Sequence, residues 1–471
     1  MATKLKYSLG AAVRSMAPAF AAAALCVPCA AQTPAGMPEA WTYESAYYPA
    51  DPDESQWWSR LGDPLLDSLV NRGRANNYDV ISALKRIDAA RAQVGMAQSG
   101  YFPTIGISAG WNKERMSGMT TSPGRAATTT DFFNIGANMS WEIDVFGKIR
   151  AGVNQRKASW RASRAEFDGV MLSISAEIAS TYINYRVARA QLQVAREHSE
   201  SQSKIVKIAE ARHETGLSSG LDVAQAKTVY YSTLATIQPL ESQVHTLANS
   251  LATLLGEYAS QLPPSLFADA ELPQCPPMPA AGVPADLLRQ RPDIMAAEQN
   301  LAAAAAAVGV AKKDFLPTLS IQGSIGTQSH SAKNLFKSES FAYTIAPTLS
   351  WTLFSGLERK YAVAAAKADM EAMIASYQST VQSAVAEVDN AIYSYSRAIE
   401  NIATLTQAME QSREAYNRSV ELYKSGNSGF INVADAQVSY LTYSNQLISA
   451  RGQAVNAYIT LCKALGGGTR Y

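Results

Sequence analysis

The sequence predicts a mainly helical protein that also carries transmembrane β-strands and is built as two internal repeats. Three observations predict this fold class. A set of landmarks recurs once, in the same order, along the 471-residue chain. Four segments alternate apolar and polar residues over about 10 positions or more, and two long segments carry apolar residues every seven positions.

The composition limits the classes of function. The 41 basic and 40 acidic residues give a net charge of +1, so no basic face for nucleic acid is expected. Charged residues make up only 17% of the chain, below the usual quarter, whereas hydrophobic residues make up 47%. Long solvent-facing helices are richer in charge, so many helix surfaces here are expected to face other helices.

Residues 1–31 are typical of an export signal. Lys4 and Lys6 supply its positive charge, Ala17–Val27 is a short apolar stretch, and cleavage is expected after Ala31. The mature chain would begin with an extended segment over residues 32–62. Because no apolar run of about 18 residues follows, no transmembrane helix is expected.

The chain has four cysteines, two in the signal segment, and the two that remain do not make a disulfide framework. Cys29 is a candidate for lipid attachment and Cys26 an alternative, although neither follows directly the small residue that a lipoprotein signal needs. Cys275 and Cys462 lie far apart in sequence and suggest no function.

The two repeats cover residues 63–256 and 285–471. The first pair of landmarks, residues 94–97 and 308–311, lies 214 positions apart, and the later pairs lie 210 apart. These later pairs are Trp141 and Trp351, Thr215-Gly216 and Ser425-Gly426, and Leu255-Gly256 and Leu465-Gly466. Residues 257–284 form a linker whose dense prolines predict neither helix nor central strand.

The alternating segments lie at about 102–146 and 316–354, two strands in each. A soluble half-buried sheet would give the same alternation. The strand length, the tryptophans near strand ends and the export signal favour a membrane barrel. Four strands cannot close a barrel, and open edges are not tolerated in a bilayer, so several chains must share one. A dimer would supply 8 strands and a trimer 12; a duct needs at least the trimer, because an eight-stranded interior is filled by side chains.

The seven-residue patterns lie in two predicted helical hairpins, at about 147–256 and 356–466. One series is Val153, Trp160, Phe167 and Ile174, and a second lies beside it on the same helix. Two apolar seams on one helix indicate neighbours on both sides, as in a closed helical barrel, although a two-stranded coiled coil remains an alternative.

Four motifs resemble those of the outer-membrane factor family of resistance-nodulation-division efflux pumps (TolC/OprM/NodT type). They are Trp57-Trp58 with the following Gly62 to Leu65, the strand-to-helix segment Trp141 to Arg150, Arg289 to Ile294, and the closing run Leu461 to Gly468. The resemblance covers essentially the whole mature chain.

The resemblance implies a trimeric 12-stranded outer-membrane β-barrel that continues into a 12-helix periplasmic α-barrel. It also implies a passive channel rather than an enzyme, with no cofactor. Its expected partners are two further copies of the chain, outer-membrane lipid, a periplasmic adaptor (membrane fusion protein) and an inner-membrane RND pump.

The resemblance further implies that two tight turns dock the adaptor at the periplasmic tip. These turns are Thr215-Gly216-Leu217 and Ser425-Gly426-Asn427. Members of the OprM type often carry a constricting aspartate just after the second tip glycine; Ser428 stands there in this chain. Ser428, Asp435 and Asp222 are therefore the candidates for a periplasmic constriction.

Residue patterns for catalysis or metal binding are missing from the sequence. The four histidines lack metal-ligand spacing, and the glycine run at 466–468 is not followed by the Lys-Ser/Thr of a phosphate loop. Glu142 and Asp144 are expected to line a polar lumen. Two alternative functions remain: a secreted enzyme-like α/β protein, and a periplasmic coiled-coil adaptor or other interaction protein.

Overall fold

A computed structural model describes residues 41, 54–117, 126–268, 271–278 and 290–467. The predicted signal at 1–31, with Cys26 and Cys29, lies outside the described residues, as does most of the predicted extended segment at 32–62. Within the described ranges the chain is mainly helical, with one four-stranded sheet.

From its second helix onward, the first repeat has the same order of elements as the second. In the first they are α1 (Pro64–Asn76), α2 (Tyr78–Ser99), β1 (Thr104–Met116), β2 (Thr128–Ile143), α3 (Lys148–Glu214) and α4 (Gly220–Leu254). In the second they are α5 (Pro292–Lys313), β3 (Thr318–Ser329), β4 (Phe341–Ser350), α6 (Glu358–Lys424) and α7 (Phe430–Ala464). The second repeat has no counterpart of α1 within the described residues.

The sheet has the order β1-β2-β3-β4, with every neighbouring pair antiparallel. Its register places the predicted apolar positions on one face: Ile107 is opposite Ala137, Ala137 opposite Ile325, and Ile325 opposite Tyr343. The other face is polar, with Asn138 opposite Ser324 and Ser324 opposite Thr344. The predicted alternation is therefore confirmed across all four strands.

The apolar face of the sheet is uncovered within this chain. Ile107 is 84% exposed and Ile345 is 72% exposed. In a soluble half-buried sheet these side chains would pack against a core, because exposed apolar surface costs roughly 25 cal/mol per Å². Something outside the chain must cover this face, which favours lipid over the soluble-sheet alternative.

The hairpins are of equal size in the two repeats. The helices α3 and α6 each have 67 residues, and α4 and α7 each have 35. A helix of 67 residues extends over roughly 100 Å at 1.5 Å per residue. Both hairpins pack closely, α3 with α4 and α6 with α7, while α3 also contacts α7.

In each repeat the end of the shorter hairpin helix contacts the start of the helix that precedes the strands. The first contact joins α4 to α2 and the second joins α7 to α5, and we call each contact a joint. In the first repeat Asn77 Nδ2 donates to Leu254 O at 2.8 Å. In the second, Arg291 Nη1 donates to Ala464 O at 2.8 Å. Two of the motifs noted in the sequence, Arg289 to Ile294 and Leu461 to Gly468, are thus in contact where they are described.

The linker is fastened to the long helices by two equivalent tyrosines. Tyr185 OH donates to Leu266 O at 3.4 Å, and Tyr395 OH donates to Pro276 O. The prediction that prolines exclude helix from this segment is wrong in part, because a short 3₁₀ helix spans Pro264–Phe267. Proline is tolerated at the first helical position, where its missing N–H would be unbonded anyway.

Among the described residues, one helix is long and apolar enough to span a membrane, by length and composition alone. It is the alanine-rich α5, a 22-residue helix whose most apolar 18 residues have a mean hydropathy of 1.3. The expectation of no such segment overlooked it, because alanine raises mean hydropathy without giving a run of large apolar residues. Both α3 and α6 pack along α5, so α5 is part of the helical bundle formed by the hairpins.

Candidate functional site

The first hairpin turn is a Schellman motif that ends α3. Gly216 has a φ of 72°, and its amide donates to His213 O at 2.9 Å. The amide of Leu217 donates to Arg212 O at 2.8 Å. Glycine adopts this left-handed backbone without the steric cost that a Cβ adds, which explains why the sequence places one here. Thr215 caps the helix end, and its hydroxyl donates to Ala211 O at 3.0 Å.

The second hairpin turn repeats this geometry at the end of α6. Gly426 has a φ of 78°, and its amide donates to Tyr423 O at 3.1 Å. The amide of Asn427 donates to Leu422 O at 2.9 Å, and Ser425 occupies the helix cap. The two turns therefore share one backbone design.

The surface beside these turns carries exposed apolar side chains. Leu217 is 68% exposed, and Leu221, in the first turn of α4, is exposed to a similar extent. Ile431 holds the equivalent position to Leu221 in α7 and is also exposed. We call Leu217, Leu221 and Ile431 the apolar tip surface.

Arg212 connects the two turns. Its Nη1 donates to Tyr423 O at 2.9 Å and to Lys424 O at 3.1 Å, both at the end of α6. Its Nη2 donates to Leu217 O at 3.4 Å, and its guanidinium carbon lies 5.0 Å from the centre of the Tyr423 ring. A cation at the negative end of a helix dipole is favourable, so Arg212 completes the capping of α6 from the other hairpin.

A small apolar cluster underlies the turns, separate from the main core. Its buried members are Ile205, Ala209, Ala226, Tyr416, Tyr423, Phe430, Val433 and Ala434. Burial raises the pKa of Tyr423, and the negative charge of Asp222 raises it further. Tyr423 is therefore a neutral phenol at physiological pH, and its ring packs against the guanidinium of Arg212 from the other hairpin.

The three constriction candidates occupy different environments. Ser428 Oγ accepts from Asn432 Nδ2 at 2.9 Å and donates to Gly429 O at 3.4 Å, so it organises the entry to α7. Asp222 is half-buried, and its amide donates to Ser219 Oγ at 3.3 Å. Asp435 is exposed on the second turn of α7. Of these three, Asp222 is the one whose negative charge raises the pKa of Tyr423.

The opposite end of the hairpins joins the sheet through two equivalent tryptophans. Trp141 Nε1 donates to Tyr101 O at 2.9 Å, and Trp351 Nε1 donates to Phe315 O at 3.0 Å. Each bond ties the base of a strand to the segment entering the preceding strand. Their structural equivalence is therefore confirmed.

Asp144 has a different role from the one that the sequence suggested. Its carboxylate accepts from the amides of Ile149 at 3.0 Å and Arg150 at 2.8 Å, at the start of α3. Strand β2 ends at Ile143, so Asp144 lies past the strand and cannot line a lumen as a strand residue. The carboxylate satisfies amides that the first helical turn leaves unbonded.

Little in the described ranges suggests metal or thiol chemistry. No group of three or more His, Cys, Asp or Glu side chains there could hold a metal ion. Cys275 and Cys462 are not joined in a disulfide, and burial raises the pKa of Cys275. A protonated, half-buried thiol is a weak nucleophile.

Sequence reasoning missed Arg212 and Tyr423. A basic residue in the last turn of a helix often caps carbonyl groups, which was the available signal for Arg212. That signal points to the carbonyl groups of its own helix. Contact with α6, 211 residues away along the chain, requires the fold.

A sequence model of the outer membrane efflux protein family matches residues 69–257 and 283–467, one segment for each repeat. The curated relatives include the pyoverdine export outer membrane protein OpmQ of Pseudomonas putida. It is 29% identical over 448 residues, which cover 93% of this chain and 94% of OpmQ. Nodulation protein T of Rhizobium leguminosarum bv. trifolii is 27% identical over 412 residues, 88% of this chain and 87% of the relative.

Among solved structures, the outer-membrane channel OprN superposes with a TM-score of 0.83. It is 29% identical in sequence, and the match covers 92% of this chain and 98% of OprN. The similarity thus extends over the sheet, the hairpins and the joints together.

Proposed function

The chain belongs to the outer membrane efflux protein family, and from that premise we propose that three copies form an exit duct that docks onto a periplasmic adaptor. As a member of this family, the chain is an outer-membrane efflux channel with a periplasmic extension. An inner-membrane RND pump supplies the energy, and the duct conducts passively.

The uncovered sheet is the observation that carries the membrane part of the proposal. Its apolar face would contact lipid and its polar face a water-filled lumen, as in other outer-membrane barrels. In the described part of the chain, β1 and β4 each have a strand neighbour on one side only. Joining β4 of one copy to β1 of the next removes these edges, and three copies give the 12 strands that a duct requires.

Trimer formation can be measured directly. Sizing with light scattering in detergent should give a mass of three chains. A stable monomer would contradict the shared barrel, because its sheet edges would be unpaired in the membrane.

The tip is proposed to dock the adaptor. An apolar surface that protrudes from two rigid turns fits an amphipathic helical hairpin, which buries its own apolar positions on contact. Leu217, Leu221 and Ile431 offer such a surface, and the Schellman motifs fix the backbone that presents it. The four-stranded amphipathic sheet, rather than the tip, favours a channel over a free adaptor, the alternative interpretation of the sequence.

Substitution of Gly426 tests docking. Gly426→Trp should abolish efflux while trimers remain in the membrane, because a bulky side chain stands where the hairpin approaches. The backbone cost of a side chain at this φ is roughly 1–2 kcal/mol, small for so large an assembly. Gly426→Ala is the matched control: it has the same backbone cost without the bulk and should retain efflux. Normal export by Gly426→Trp would exclude the second turn from docking.

Ser428 tests the constriction. Because its hydroxyl is engaged by Asn432 and Gly429, Ser428→Ala should change single-channel conductance little. A large rise in conductance would place the constriction at Ser428, whereas a rise in Asp222→Asn or Asp435→Asn alone would place it at that carboxylate.

A further inference from the structure

The proposed docking tip consists of two turns, one from each hairpin, that are far apart in sequence. A docking hairpin that touches both turns needs them at a fixed separation. Each turn is held in its own shape by the two hydrogen bonds of its Schellman motif. Their separation must be set by contacts between the hairpins.

The apolar cluster beneath the turns packs the two hairpins together, and Arg212 adds directional contacts at the turns themselves with a single planar group. One side of the guanidinium donates to the first turn through Leu217 O, and the other donates to Tyr423 O and Lys424 O of the second hairpin. A guanidinium holds such donors in a rigid fork, whereas a lysine ammonium is one flexible point charge.

The second hairpin has no arginine at the equivalent position to make the same contact back to the first turn. The repeat position equivalent to Arg212 is Leu422, whose side chain has no hydrogen-bonding group. Lys424 O belongs to the last turn of α6, and the Schellman bonds of the second turn engage Leu422 O and Tyr423 O instead. The end of α6 thus depends on a side chain from the first hairpin.

We propose that Arg212 is the positioning residue of the docking tip: its guanidinium fixes the first turn against the end of α6, so that an adaptor meets one preformed surface. This inference rests on the proposed docking function. It assigns Arg212 no direct contact with the adaptor.

Hydrogen exchange on the purified full-length protein tests the positioning without any adaptor. In Arg212→Lys the amides of Gly426 and Asn427, on the other hairpin, should exchange about tenfold faster, the effect expected from losing charge-assisted hydrogen bonds. Amides of the main core, such as those of Tyr182 and Ile183, should not change. A general loss of stability would accelerate both sets, so unchanged exchange at Gly426 and Asn427, or equal acceleration everywhere, would overturn the proposal.

Arg418→Lys is the matched control for this measurement. Arg418 lies on α6 near the tip, is largely exposed, and donates to Glu414 on its own helix. The same substitution there removes a guanidinium fork without touching the contact between turns. Exchange at Gly426 and Asn427 should remain that of the unsubstituted protein.

Cross-linking in the native host separates this inference from the docking function. A photoactivatable phenylalanine at Ile431 should capture the periplasmic adaptor, identified by mass spectrometry, in an otherwise unsubstituted channel. Arg212→Lys should reduce that yield about fivefold or more, in line with the loss of charge-assisted bonds, and Arg418→Lys should not. Failure of the unsubstituted channel to capture the adaptor would contradict docking at this surface. Capture at an undiminished yield in Arg212→Lys would overturn the role of Arg212 alone.

Discussion

The two repeats share their main-chain geometry at equivalent positions, but different side chains make the contacts there. The joints show this most directly: Gly256 and Gly466 both have positive φ and both face a backbone carbonyl of the adjoining segment. Beside them, however, the first joint uses the neutral amide of Asn77, and the second uses Arg291, which also donates to Asp293 and Glu387. The main-chain geometry is shared, whereas the electrostatics differ.

The same division holds along the hairpins. The equivalent residues that begin the long helices, Gly147 and Leu357, both adopt left-handed backbone, although leucine does so at a cost. At the tip, Arg212 has Leu422 as its counterpart. A duplicated backbone therefore leaves side chains free to diverge, so the two repeats should respond equally to backbone changes and unequally to changes of charge.

Alanine at the joint glycines should have the largest effect on stability. A Cβ would stand 2.5 Å from Asn76 O in Gly256→Ala and 2.7 Å from Gln290 O in Gly466→Ala. The clash and the positive φ together should cost about 2–4 kcal/mol in each variant. Thermal unfolding in detergent measures the loss, with Gly95→Ala as a control, because a Cβ there meets no described atom within 4 Å. Unequal losses of stability in Gly256→Ala and Gly466→Ala would show that the two joints are not equivalent.

Removal of the polar side chain should lower the free energy of unfolding more at the second joint than at the first. Arg291→Ala should cost about 2–3 kcal/mol, because it removes several charge-assisted hydrogen bonds and leaves two carboxylates without their cation. Asn77→Ala should cost about 1 kcal/mol, the usual value for a helix cap. Parallel unfolding measurements on both variants give the difference. Equal losses would mean that the charges of the second joint add nothing to its stability.

Acid should weaken the second joint selectively. Burial alone would raise the pKa of Asp293, but the hydrogen bonds and charge of Arg291 outweigh it and hold the pKa below its ordinary value. As the pH falls, the unfolded chain therefore takes up this proton first, and the stabilisation is lost as the pH passes through the folded-state pKa. Asp293→Asn should be less stable than the parent protein at pH 7, and the gap should close in acid below about pH 4.

The difference in stability between Asn77→Ala and the parent protein serves as the control for Asp293→Asn. Asn77 does not titrate, so that gap should be the same at both pH values. A gap for Asp293→Asn that persisted or widened in acid would show that Asp293 is not held ionised by Arg291.

The smallest effect is expected at Leu357. Leu357→Gly should stabilise the protein by roughly 1 kcal/mol, because it removes the left-handed penalty that Gly147 avoids in the first repeat. The thermal midpoint should rise slightly. A fall would mean that the exposed leucine side chain contributes packing, to lipid or to a neighbouring copy, that exceeds its backbone strain.

Local and periodic features were predictable from the sequence. The alternation of apolar and polar residues at about 102–146 and 316–354 predicted a sheet with one apolar face, and the register confirmed it. The recurrence of Trp141 as Trp351 predicted equivalent positions, and their matching hydrogen bonds confirmed that as well. These predictions succeeded because period, spacing and repeats are properties of the chain itself.

The residues at which elements begin and end were not predictable in the same way. Asp144 lies two residues after Glu142 and appeared to continue the strand, yet β2 ends first and Asp144 caps α3. The short 3₁₀ helix at Pro264–Phe267 forms where dense prolines had predicted no helix. In both cases the end of an element depended on local hydrogen bonds that residue type alone does not specify.

The sequence by itself determined the repeated order of helices and strands, the lengths of the hairpins, the glycines at the turns and the polar and apolar faces of the sheet. Only the tertiary structure decided which groups meet across long separations in sequence: the Arg212 guanidinium with the carbonyl groups at the end of α6, and the Arg291 guanidinium with Ala464 O. The physical reason is that backbone conformation and periodicity arise from neighbouring residues. The pairing of a guanidinium with a carbonyl 211 positions away depends on where two helices nearly 100 Å long place their ends.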